Sequence, residues 1–244
     1  MSAPLAGRRV LVTRGVEDAG AWAERLAALG ADPVILPCIH TEFLGDDATR
    51  ASFAAALDGA ACLCIMSARG ADAVARLGVR LAPSLRIAVV GNASAHAVLG
   101  AFGRKAYVAR GGTSRALGEQ LLHDALAAGG VLPRVVVATA EGGRTDAEEV
   151  LERGGMQVTR VNVYRTIPAS PSDAPRDLAI EGIGDVLLAS PSAVQGLLNQ
   201  ASFPHGARIF TIGPTTSAAV VAAGLAVTGE ALHPDLDSLV EAMQ

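Results

Sequence analysis

Hydroxyl side chains stand beside glycine turns at matching points of the sequence, and that pattern is where chemistry first shows. Ser67 closes Ile65-Met66 and Ser190 closes Leu188-Ala189, each at the end of an aliphatic run. Gly91 precedes Ser94 in Gly-Asn-Ala-Ser, and Gly213 precedes Thr215 and Thr216 in Gly-Pro-Thr-Thr. Glycine lets the backbone turn sharply out of a strand. A hydroxyl at the start of the following helix caps free N–H groups, and those groups also receive anions. Thr13 and Arg14 end the first strand-like run, and Arg69, Arg144 and Ser192 lie close to the other turns. Capping alone explains any one of these hydroxyls. As a set at equivalent strand ends, they point to a polar or anionic ligand. Tyr164, one of two tyrosines, lies in the extended stretch Val161–Thr166; a phenol there donates a proton as readily as a hydrogen bond, although packing explains it equally well.

Other chemistries are excluded by what is missing. Neither G-x-x-x-x-G-K-[ST] nor G-x-G-x-x-G occurs, so the common phosphate-binding loops are absent. His40, His96, His123, His205 and His233 are scattered with no metal-ligand spacing, and neither Ser67 nor Ser190 sits in a G-x-S-x-G turn. The formal charge of −4, with Lys105 the only lysine, argues against a broad basic face for nucleic acid. Cys38, Cys62 and Cys64 match no zinc spacing; Cys62 and Cys64, two apart in an apolar run, belong on one buried strand face. An odd thiol count and an early charged strand start at Gly7-Arg8-Arg9 predict a reducing, cytoplasmic setting without a signal peptide. Ile209–Gly229 carries no charge, but its turn residues break it into strand, turn and helix rather than a membrane span.

The elements that must position these groups alternate. Half of the 244 residues are hydrophobic and only 3% aromatic, so the core is aliphatic. Strands are expected at Arg9–Thr13, Pro33–Leu36, Ala61–Met66, Ile87–Val90, Tyr107–Ala109, Val135–Val137 and Asp185–Ala189. Helices are expected at Ala19–Leu29, Asp46–Leu57, Ala71–Leu77, Thr113–Ala127 and Ser192–Asn199, with a further helix after each glycine turn at 91 and 213. This alternation predicts parallel sheets with helices on both faces. The pattern also repeats. Arg9-Val-Leu-Val matches Arg134-Val-Val-Val at an offset of 125, Ser67 matches Ser190 at 123, and Gly91 matches Gly213 at 122. Near-constant offsets indicate an internal duplication, which alone would put a boundary near residue 120. Parallel sheets bind ligands at the carboxyl ends of their strands, so two such lobes predict a cleft for a sizeable anionic molecule.

In order and spacing, the chain resembles the uroporphyrinogen-III synthase family. The residues that carry the resemblance are Val10-Leu-Val-Thr13-Arg14, Ile65-Met-Ser67-Ala-Arg69, Val90-Gly91-Asn-Ala-Ser94-Ala, Val161-Asn-Val-Tyr164-Arg-Thr, Ala189-Ser190-Pro-Ser-Ala-Val and Ile212-Gly213-Pro-Thr-Thr216. The resemblance implies two flavodoxin-like lobes with crossed chain, residues 1–36 plus 168–244 and residues 44–160, joined by a two-stranded hinge of 37–43 and 160–168. It implies a cofactor-free lyase of haem and related tetrapyrrole biosynthesis, hydroxymethylbilane hydro-lyase (cyclising). That enzyme closes a linear octacarboxylate tetrapyrrole with inversion of ring D through an azafulvene and a spiro intermediate. Tyr164 then matches the general acid, Ser67, Arg69, Ser94, Ser190 and Thr216 match cleft positions, and Arg208 matches a basic position there. Ser94 stands where threonine is commoner, and Thr139–Gly143 lacks the Arg-Gly usual after that strand. The expected protein is a monomer with no metal, membrane or nucleic-acid partner, its substrate handed over by the deaminase or taken from solution. The competing expectation is a non-catalytic two-lobed binding or regulatory protein for an anionic small molecule.

Overall fold

A computed structural model of the chain describes residues 3–129, 131–202 and 206–244; His205 lies outside them. In chain order, β1 (Arg9–Val12), α1 (Val16–Ala28), β2 (Asp32–Ile35) and β3 (Ile39–Phe43) come first. There follow α2 (Asp47–Leu57), β4 (Cys62–Ile65), α3 (Ala68–Leu77), β5 (Arg86–Val89), α4 (Asn92–Phe102) and β6 (Tyr107–Val108). Then come α5 (Ser114–Ala128), β7 (Arg134–Ala140), α6 (Asp146–Arg153) and the long β8 (Gln157–Pro168). The remainder holds β9 (Arg176–Asp177), β10 (Asp185–Leu188), α7 (Pro191–Gln200), β11 (Ala201–Ser202), β12 (Arg208–Thr211), α8 (Pro214–Ala222), β13 (Gly229–Glu230) and α9 (Leu236–Ala242). No helix among the described residues is long and apolar enough to cross a membrane.

The chain forms two compact units, one of residues 1–41 with 166–244 and one of residues 42–165. The first holds a sheet in the order β2-β1-β10-β12-β13 and a small β9-β11 pair; the second holds β6-β5-β4-β7-β8, with β3 at the edge beside β8. All recorded pairings within the two five-strand series are parallel. Set β1, β2, β10, β12 and β13 against β7, β8, β4, β5 and β6, and the two orders are the same. The near-constant offsets in the sequence therefore correspond to one sheet pattern built twice, the flavodoxin-type order in which winding reverses between two central strands.

Both faces of each sheet are covered, which is why the central strands are almost continuously apolar. In β4, Leu63 and Ile65 enter one core cluster while Cys62 and Cys64 enter the cluster on the other face. In β1, Leu11 faces one cluster and Val10 and Val12 the other. The three cysteines are free and buried. Burial pushes the Cys38 thiol up to about 12, and Cys64, hydrogen-bonded to Cys62 and fully buried, is also held well above the usual thiol range.

Helix starts fall earlier than the apolar spacing suggests. α1 begins at Val16, with Glu17 and Asp18 in its first turn, and α3 begins at Ala68, directly after its cap Ser67. Hydrophobic periodicity marks where a helix is buried, whereas caps mark where it begins. α9 was not anticipated; Asp235 caps it by accepting from the Ser238 N–H at 2.8 Å.

One charge lies deep in the first unit. Asp185, 1% exposed at the amino end of β10, accepts from Arg8 Nε at 2.7 Å and from Arg208 Nη2 at 3.0 Å. Arg8 also donates to the Met243 carbonyl at 2.6 Å, which fastens α9. Asp185→Ala is expected to cost about 2–4 kcal/mol, because it strands Arg8 beside an apolar core. Arg208→Ala is expected to cost less than about 1 kcal/mol, because Arg208 is half exposed and Arg8 still neutralises the carboxylate. Urea unfolding of both variants checks this; equal losses would show that the pair is not organised around the aspartate.

Candidate functional site

In the 42–165 unit, a cavity of about 550 Å³ opens at the carboxyl ends of β4 and β7. That is where the winding of the sheet reverses, so the loops after the two strands diverge and leave a crevice. Met66 and Ser67 line it from the end of β4, and Thr139 and Ala140 from the end of β7. The starts of α3, α5 and α6 approach the same place, each offering backbone N–H groups and the positive end of its dipole.

Ser67 and Tyr164 meet on one wall. The Ser67 Oγ accepts from the Gly70 N–H at 2.9 Å, capping α3, and lies 2.9 Å from the Tyr164 hydroxyl. Tyr164 is 8% exposed; its ring packs into the core formed around β4 and β5, while its hydroxyl end reaches the cavity. A hydroxyl that accepts from a helix N–H keeps its own hydrogen for another partner. Ser67 therefore can donate to Tyr164 and leave the phenol proton free.

The opposite wall carries charge. Arg144, exposed, comes from the loop after β7, and Ser114 and Arg115 from the first turn of α5. Thr113 caps α5 by accepting from the Ala116 N–H at 3.1 Å. The Asp146 carboxylate, also at the cavity, accepts from the Ser114 hydroxyl at 3.2 Å and lies 3.5 Å from the Arg115 guanidinium. Among the other expected residues of this unit, Arg69 lies half-buried in the first turn of α3. Gly91 precedes α4 without a side-chain cap, and Ser94 is 6% exposed in its first turn.

The equivalent strand ends of the other unit carry the remaining expected residues. Ser190 caps α7 by accepting from the Ala193 N–H at 3.1 Å, as Ser67 caps α3, with Ser192 half-buried in the same turn. Arg14 pairs with Asp18 and stacks over Trp22, its guanidinium carbon 4.9 Å from the ring centre. Gly213 starts α8 and Thr215 is exposed beside it.

Three expected residues are engaged within their own unit. Thr13 is fully buried and donates to the Leu187 carbonyl at 2.6 Å, tying β1 to β10, so its hydroxyl has no surface for a ligand. Thr216, in the first turn of α8, is 1% exposed. Arg208 begins β12, at the opposite end of that strand from Gly213, and is engaged with Asp185. A parallel strand presents its ligand-facing end at its carboxyl terminus, and Arg208 lies at the other end of β12.

The cavity also uses residues that sequence reasoning passed over: Ser114, Arg115, Asp146 and, behind the wall, Arg160. In the sequence, Thr113-Ser114 marks a helix start, and its spacing carries no sign of a cavity wall. The two glycines before it, Gly111 and Gly112, both adopt positive φ (94° and 64°) and shape the cavity side of that turn.

Comparison with known proteins gives a consistent picture. The family model described as Uroporphyrinogen-III synthase HemD matches residues 20–241. No curated protein sequence matches the chain. A mutant uroporphyrinogen III synthase from the extremely thermophilic bacterium Thermus thermophilus is similar in structure, with 19% identity, a TM-score of 0.54 and 97% of each chain covered. Uroporphyrinogen-III synthetase from Helicobacter pylori is 13% identical, with a TM-score of 0.55 and 96% of each chain covered. At such identities the likeness shows a shared fold of parallel sheets flanked by helices.

Proposed function

The chain belongs to the uroporphyrinogen-III synthase family, whose enzymes act in tetrapyrrole synthesis, and we propose that it cyclises hydroxymethylbilane with inversion of ring D. The single observation that carries the reading at the level of chemistry is the chain from the Gly70 N–H to Ser67 to the Tyr164 hydroxyl, ending at the cavity. It supports reading Tyr164 as a proton donor whose conjugate base a helix start would stabilise, beside a cavity with polar walls.

In the proposed reaction Tyr164 gives its proton to the substrate's terminal hydroxyl. The C–O bond breaks, its electron pair leaves with oxygen as water, and the pyrrole nitrogen's electrons complete an azafulvene. The ring D carbon that already bears the chain attacks the new electrophile and forms the spiro intermediate. The bond from the spiro carbon to the ring C methylene then breaks, and that methylene bonds the free α-carbon of ring D on the other side of the ring nitrogen, which inverts the ring. The proton that this carbon loses restores the phenol, so water is the only by-product. Protons pass between Tyr164 and the substrate, electron pairs move within the substrate, and no step changes the overall oxidation state.

An ionised phenol is costly away from water. Ser67 offsets that cost by donating to it while accepting from the positive end of α3. Most of the remaining work is positioning. Spontaneous closure gives the uninverted isomer, so the site must hold the bilane with the substituted ring D carbon nearest the electrophile. We assign the carboxylates of the substrate to Arg115, Arg144 and the N–H groups at the starts of α3, α5 and α6 in this unit, with Arg69, Gly91 and Ser94 nearby. Within the other unit, Arg14, Ser190, Ser192, Gly213 and Thr215 are proposed carboxylate donors at the equivalent strand ends. Local donors suffice for this, so a net charge of −4 is no obstacle.

The test is consumption of freshly generated hydroxymethylbilane without added cofactor. Catalysis predicts many turnovers per chain, faster than spontaneous closure. A protein that only binds would slow closure or deplete the bilane once, in proportion to its own concentration, and that result would remove the proposal.

A further inference from the structure

We propose that Arg160 is a positioning residue for the cavity: its guanidinium holds the loop 140–145 in the shape that presents Arg144, an inference that rests on the cyclase reading for its effect on substrate. Arg160 lies on β8, four residues before Tyr164, and sends its side chain under the loop that follows β7. Its Nη2 donates to the Ala140 carbonyl at 3.2 Å and to the Gly143 carbonyl at 2.8 Å. Its Nη1 donates to the Arg144 carbonyl at 3.3 Å and to Glu148 Oε1 at 2.5 Å. Nε reaches Asn162 Oδ1 at 3.3 Å.

One planar cation thus gathers backbone oxygens from both ends of a short loop and neutralises a carboxylate, Glu148, that is only 5% exposed in the first turn of α6. Such inward-turned carbonyls repel one another unless a donor sits among them. Turning them inward also aims the other side of the loop at the cavity, where Gly143 and Arg144 line the wall. The same loop is tied to the proposed acid, because the Glu141 N–H donates to the Tyr164 carbonyl at 2.8 Å. A lysine keeps the charge but offers a point donor in place of the fork, so it can satisfy Glu148 or the carbonyls and not both sets.

The experiment compares the full chain with Arg160→Lys and with Gly143→Ala. The second variant leaves the Arg160–Glu148 pair in place, while its new Cβ would meet the Ala140 carbonyl and Thr139 Oγ1 at 3.0 Å and Arg160 Nη2 at 3.3 Å. Two quantities are read: the rate of trypsin cleavage between Arg144 and Thr145, followed by mass spectrometry, and KM against kcat for hydroxymethylbilane. Both variants are expected to be cut there about tenfold faster with other sites unchanged, and to show KM raised about tenfold with kcat within about threefold, as loss of uniform substrate binding predicts. Unchanged cleavage at Arg144 with unchanged KM would overturn the proposal, as would faster cleavage at every site with an unaltered KM, which marks general loosening. If Arg160→Lys does not fold, Gly143→Ala decides by the same two readings. If the parent chain proves not to turn over the bilane, the cyclase reading fails by itself, and the cleavage rate still accepts or rejects the clamp.

Discussion

Tyr164→Phe is expected to lower kcat by about 10²–10⁴-fold while KM and the folded state stay near those of the parent chain. The range is what a positioned general acid contributes. The substitution removes one oxygen, which lies 2.9 Å from Ser67 Oγ, a loss of about 1 kcal/mol in stability. The ring, packed in the core beside β4, is retained. Since the leaving hydroxyl is protonated only as it departs, the loss should appear in kcat and kcat/KM together. Ser67→Ala separates support from donation: it removes the cap on α3, at about 1 kcal/mol, and should lower kcat less than Tyr164→Phe. Parent-like turnover in Tyr164→Phe would disprove the assignment and leave water or a substrate carboxylate as the donor.

Gly196→Ala is expected to destabilise the 1–41/166–244 unit by at least about 3 kcal/mol, at or beyond the upper end of overpacking effects. α7 crosses the connector after β2 so closely that a Cβ on Gly196 would lie 1.7 Å from the Cys38 carbonyl oxygen and 2.9 Å from the Ala169 nitrogen. That oxygen cannot yield freely, because it accepts the Ala169 N–H at 2.8 Å. Gln200 Nε2 donates to the Pro37 carbonyl at 3.0 Å and Asn199 Nδ2 to the Ala169 carbonyl at 2.7 Å, so one face of α7 fixes both strands of connector. Moving the helix off Cys38 would break these contacts together. For a chain of this size the loss corresponds to a fall in Tm of about 6–12 °C. Gly100→Ala in α4, where a Cβ meets nothing within 4 Å, should instead be neutral or stabilise by up to about 1 kcal/mol. Similar losses in the two variants would show that the close approach of α7 is not what fixes Gly196.

The two glycines differ in a way that no sequence pattern displays, and the same holds for much of the site. Fold class was legible because each central strand is apolar on both sides and each strand end carries a glycine or a hydroxyl. The duplication was legible because Ser67 and Ser190, and Gly91 and Gly213, recur at nearly one offset; both serines prove to be helix caps with the same acceptor role. A cut near residue 120 was the wrong lesson from that repeat. β1 pairs with β10, Val10 opposite Asp185, and such long-range pairing leaves no local trace. The direction of a hydroxyl was equally hidden. Thr13 and Ser67 occupy similar strand ends, yet one turns to the Leu187 carbonyl in the core and the other to Tyr164 at the cavity. Arg160 reads in sequence as one more charge in an alternating strand, and only the carbonyls folded around it show its task.

The most direct test of the central claim is the isomer composition of the product. Hydroxymethylbilane is generated in situ, the protein added, the product oxidised, and the porphyrin isomers separated. Isomer III is expected in clear excess over a control without protein, as the proposed attack by the substituted ring D carbon requires. Isomer I alone, from a folded chain, would contradict it.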